Sequence, residues 1–139
     1  MKKLSQLALF LVVAAISKPA AAHEWKEKDE FHKVMANTFH PSEEGNYEPI
    51  RSRIDEMLEK AKAWSASTPP GEFDRADIKA TLKELVDGVA SLKSMIDNKA
   101  TNDEIKPKLE ARHDTFHKIA GMCSHKQTGG EEGHPKHHE

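Results

Sequence analysis

Cysteine is almost missing from this chain: Cys123 is the only one in 139 residues, so no intramolecular disulfide can form and packing or a bound ion must hold the fold. Long apolar runs are missing too. The stretch from Leu7 to Ile16 supplies roughly half of the ~20 residues a spanning helix needs, and no later segment is more apolar, which excludes insertion into a membrane. The alternating pattern of β-strands is absent, as is any internal repeat. No nucleophile elbow, phosphate loop or paired Glu-x-x-His helices are present, so the reading is that of a protein without enzymatic activity.

What is present begins with export. Lys2 and Lys3, the apolar run, and the small residues Ala20-Ala21-Ala22 follow one another as in a secretory signal peptide, residues 1–22. Cleavage near Ala22 predicts a periplasmic or secreted chain of 117 residues beginning at His23. The leader removes three lysines, leaving 18 basic against 23 acidic side chains and a formal charge of −5. A domain of that sign is a poor partner for nucleic acid or anionic lipid.

Four amphipathic segments follow. Helix A is predicted over about Glu24 to Asn37, with Trp25, Phe31, His32, Val34, Met35 and Phe39 inward; Pro41, Gly45 and Pro49 then break the chain. Helix B spans about Tyr47 to Ala66, on a stripe including Ile50, Ile54, Met57 and Trp64, and ends at Ser67-Thr68-Pro69-Pro70-Gly71. Helix C, about Asp74 to Asp97, carries a wide stripe including Ile78, Leu82, Leu85, Val89 and Leu92. Thr101-Asn102-Asp103-Glu104 has the form of a capping box and starts helix D, unless Pro107 delays the start to near Lys106. Ile105, Leu109, His113, Phe116, Ala120 and Cys123 carry D's inward stripe. The fold class is therefore all-α: an up-down-up-down antiparallel four-helix bundle over residues 23–123. Residues 124–139 read as a disordered, His-rich tail.

Nine histidines are the compositional outlier. At ~1.5 Å of rise per residue, His32 of helix A and His117 of helix D reach similar depths, and His113 lies one turn away, level with Met35. Imidazole nitrogen suits a transition metal of the copper or zinc class, so His32, His113 and His117 form the predicted metal set. His40, beyond the end of helix A, either folds back with Glu43 or Glu44 as a further ligand or caps a turn. Cys123 and His125, near His23 at the start of the mature chain, form either a second site or an ordinary terminus. His134, His137 and His138 fall in the tail.

The export signal, the Thr68-Pro69-Pro70 break after the second helix and the Phe116-His117-Lys118 sequence in the last helix give a resemblance. The chain resembles the periplasmic four-helix cytochromes, both the soluble b-type group and the cytochrome c-prime group. That resemblance implies haem b and electron transfer, with His117 as one axial ligand and Met35 or His32 opposite. Cys123-Ser124-His125 is not Cys-x-x-Cys-His, so covalent haem attachment is not implied, and His113 is a ligand-type residue that a simple b-haem pocket would not need. Three functions are therefore expected to compete: a metal-binding protein, a haem b electron carrier, and a cofactor-free interaction scaffold. Phe31, Val34 and Phe39 could present an apolar surface to a homodimer.

Overall fold

The computed structural model describes residues 24–124, and every regular element among them is helical. Residues 1–23 and 125–139, which hold the expected leader, His23 and most of the expected tail, lie outside the described residues. The helices are α1 (Lys26–Glu43), α2 (Glu48–Ala66), α3 (Ala76–Asp97) and α4 (Asn102–Ser124), with a single 3-10 turn at Gly71–Phe73 before α3. α1 packs on α2, α2 on α3 and α3 on α4, and a thinner α1–α4 seam closes the ring. None of the described helices is long and apolar enough to cross a membrane.

Each helix exists because its stripe is buried. Ile50, Ile54, Met57, Ala61 and Trp64 of α2, and Ile78, Leu82, Leu85, Val89, Leu92 and Ile96 of α3, are all in the core, at the predicted positions. On α1 the buried positions are Phe31, Val34, Met35, Thr38 and Phe39. Thr38 enters the core because its hydroxyl donates to the Val34 and Met35 carbonyls at 2.9 and 3.0 Å, leaving no unmet polar group. Aromatic rings fill the centre. Trp64 lies with centroids 5.7 Å from both Trp25 and Phe31, and 6.0 Å from Phe116.

α1 runs six residues past its predicted end and takes Pro41 inside it. The missing proline N–H removes one hydrogen bond in the last turn, yet continuing the helix buries Phe39 and Ser42. The stop comes at Gly45. With φ +85° it supports a Schellman closure, in which Asn46 N–H donates to the Pro41 carbonyl at 2.9 Å and Gly45 N–H to the Ser42 carbonyl at 3.0 Å. α3 ends the same way with Lys99, at φ +63°, in the glycine position.

Two sets of contacts gather the helix ends. Trp25, before α1, donates its indole N–H to the Ser67 hydroxyl at 2.7 Å and stacks on Phe73 at 6.3 Å. Arg51, in the first turn of α2, donates to the Ala100 carbonyl at 2.7 Å, in the link between α3 and α4, and to the side chain of Asn102, the first residue of α4, at 2.8 Å.

The capping box of α4 forms as predicted, and the helix starts at Asn102 rather than near Lys106. Thr101 N–H donates to Glu104 Oε2 at 2.7 Å, and Glu104 N–H donates back to the Thr101 hydroxyl at 3.3 Å. The bonds Glu104 Oε2 accepts, from the Thr101 N–H and from the Thr101 hydroxyl at 3.0 Å, hold its carboxyl below its ordinary pKa, the backbone bond being the larger cause. Thr101→Ala is expected to cost about 1 kcal/mol. Urea unfolding followed by circular dichroism would show this as a lower midpoint at unchanged slope.

Candidate metal centre

The histidines gather on the outer face of the α1–α4 seam. His113 is half-buried, and its ring lies flat on Phe39 of α1, with centroids 3.8 Å apart and planes 9° from parallel. One turn along α4, His117 places its Nε2 3.0 Å from His113 Nε2, with the ring planes at 81°. At that separation one neutral ring donates its Nε2–H and the other accepts, so the two rings hold opposite tautomers. The His40 centroid is 6.4 Å from that of His113. His40 Nδ1 is 2.9 Å from Glu43 Oε2; a neutral His40 therefore donates Nδ1–H to the carboxylate and keeps its Nε2 lone pair free.

These positions correct the expected geometry in three ways. His32 does not point inward. It is exposed, stacked on Phe116 with centroids 4.7 Å apart and planes 13° from parallel, because at about 100° per residue it sits one step off the Phe31–Met35 stripe. His113 is level with Phe39 and His40 rather than with Met35. The His113 ring stacks on Phe39 and lies 6.4 Å from that of His40. His40, finally, belongs to α1 itself and not to a loop beyond it.

Met35 is completely buried, while His117 is exposed. A haem held between them would need a slot running from the surface into a core where Phe31, Trp64 and Phe116 already pack ring against ring. A His117–Met35 pair does not fit that group without reopening the core. Cys123 is buried at the far end of α4. Burial pushes its thiol pKa up, with Lys28 and Arg75 opposing by charge. A thiol kept protonated is a poor ligand, and Cys123 lies roughly 9 Å of helix rise from His117. His23 and His125, named with it as a second site, lie outside the described residues.

Among the described residues no three His, Cys, Asp or Glu side chains stand ready as a complete cage. What stands together is the His113–His117 pair, with His40 nearby. Asp114, a candidate hydrogen-bond partner for a ligand ring, acts on His113 through its charge. The sequence order alone could have shown the His40–Glu43 pairing, an i, i+3 spacing, had α1 been carried through Pro41. Comparison of the chain with protein-family models, with curated proteins and with solved structures finds no match.

Burial holds His113 below its ordinary pKa of 6.5; His117 and His40 add to this by charge, while Asp114 and Glu43 oppose it. Between the folded-state pKa and 6.5 the unfolded chain binds more protons than the folded one, so stability rises with pH there. The contribution is fully present above about 6.5 and lost as pH falls. Melting temperatures of metal-free protein across this window are expected to decline toward acid, and the decline is expected to flatten in His113→Gln. An equally steep decline in that variant would assign the effect to other groups.

Proposed function

We propose that this chain is an exported metal-binding protein that holds one transition-metal ion of the copper or zinc class on the α1–α4 seam. The observation carrying this reading is the 3.0 Å approach of His113 Nε2 to His117 Nε2. Two nitrogens so placed on one rigid helix can share an ion where they now share a proton. For that, the donating ring moves its proton from Nε2 to Nδ1, and both lone pairs then face the ion. His40, its Nδ1 held by Glu43, is the third ligand and brings α1 to the site; water fills the remaining positions.

The reading includes an up-down-up-down path. It is supported by the short links and by His113 and His32 meeting Phe39 and Phe116 in opposite chain order. The Lys2-Lys3, Leu7-to-Ile16 and Ala20-Ala21-Ala22 sequence supports export to the periplasm or beyond. The binding role is that of a carrier or store, since two or three protein ligands leave positions open for exchange.

The test is calorimetric titration of the untagged full chain with Cu2+ and with Zn2+. His113→Gln/His117→Gln is expected to lose one equivalent of metal. His40→Gln is expected to weaken the same equivalent, and His32→Gln to leave it unchanged. Unaltered stoichiometry in the double variant would end the proposal.

A further inference from the structure

Resting on the metal-binding reading, we infer that the seam is a right-angle chelate built for Cu(II), with His113 and His117 in the equatorial plane, and not a tetrahedral zinc site. The argument is one of bite. With metal–nitrogen distances of about 2.0–2.1 Å, two donors at a right angle stand about 2.9 Å apart, and two at a tetrahedral angle about 3.3–3.4 Å. The two Nε2 atoms are 3.0 Å apart. That lies close to the first value and short of the second.

The bite is also held in place. His113 lies flat against Phe39, at 3.8 Å and 9°, and Phe39 is buried in the core. To widen the angle by moving His113, its ring would have to slide off that face. His117 meets the edge of Phe116, at 5.4 Å and 68°, and Phe116 is buried as well. The two imidazole planes stand at 81° to each other with centroids 4.4 Å apart, so the rings meet edge to face without collision. Square or tetragonal nitrogen and oxygen coordination is the geometry of Cu(II) and Ni(II), and the order of divalent affinities places copper above nickel. His40 is near enough, at 6.4 Å between ring centroids, to supply the third nitrogen. The fourth equatorial position then belongs to water, or to the molecule that receives the copper.

The experiment uses the metal-free full chain and its His113→Gln/His117→Gln variant, each given one equivalent of Cu2+ for electron paramagnetic resonance or of Co2+ for visible absorption. The expected result is an axial copper spectrum with wide parallel splitting and nitrogen coupling, and only the weak visible band of six-coordinate cobalt. Both signatures are expected in wild type and expected to be lost in the His113→Gln/His117→Gln variant. An intense four-coordinate cobalt band with a collapsed copper splitting would overturn the right-angle assignment while leaving metal binding in place. Spectra identical in wild type and variant would overturn the metal-binding reading together with it. In Phe39→Leu the freed ring is expected to let the cobalt band gain intensity; an unchanged band would remove Phe39 from its positioning role.

Discussion

Trp64→Ala is expected to destabilise the protein by about 3–5 kcal/mol, whereas Trp64→Phe costs far less. Trp64 is fully buried on α2 and meets Trp25, Phe31 and Phe116, so it joins the start of α1, its middle and α4 through one side chain. Truncation to alanine removes the packed surface and leaves a cavity that three helices cannot collapse to fill. Phenylalanine keeps much of the ring. It also removes the Trp64 indole N–H, which is buried with no hydrogen-bond partner among the described residues. An unmet buried donor costs about 1–3 kcal/mol, and deleting it offsets part of the lost volume. Urea midpoints followed by far-ultraviolet circular dichroism separate the two variants. Equal losses in both would mean that the indole N–H finds a partner in solution.

Trp25 adds a second layer to the same end of the bundle. Its ring stacks on Phe73 and its N–H is satisfied by the Ser67 hydroxyl, which in turn donates to the Trp64 carbonyl at 2.7 Å. The Thr68-Pro69-Pro70 break therefore leads into a packed corner, since Phe73, just beyond it, is buried. Aromatic pairs of this kind add about 0.5–1.5 kcal/mol beyond their area.

The four helices were legible because burial at spacings of three and four leaves a strong mark in α2 and α3, where the predicted stripes and the buried residues nearly coincide. The α4 start was legible through its capping box, a signal that depends only on neighbours in sequence. The end of α1 was not. Pro41 reads as a breaker, and the gain that outweighs it, burial of Phe39 and Ser42 with closure at Gly45, depends on what the helix packs against. The site was legible in part. The i, i+4 spacing of His113 and His117 is a local fact and survives. His32 failed because a stripe edge is uncertain by one residue, and one residue is about 100° of helix. Likewise Ile119 rather than Ala120 is the buried residue of α4, and that rotation carries His113 to the shoulder of the bundle instead of its centre.

A saturating metal ion is expected to stabilise the wild-type protein and not His113→Gln/His117→Gln. The two Nε2 atoms come within 3.0 Å only because α4 is helical through that turn; unfolding separates them and gives up the chelate. A ligand that binds only the folded chain adds about 2.7 kcal/mol at a hundredfold excess over its Kd. For a domain of this size that is a rise in Tm on the order of 10 °C. The gain is enlarged if His40 takes part, since α1 and α4 form the thinnest seam of the ring and the ion would then bridge it. Histidines whose spacing does not depend on the fold bind folded and unfolded chains alike and produce no such rise. Differential scanning calorimetry with Cu2+ or Zn2+, then with excess chelator, reads the effect and its reversal. An equal rise in the double variant would place the stabilising ion elsewhere on the chain.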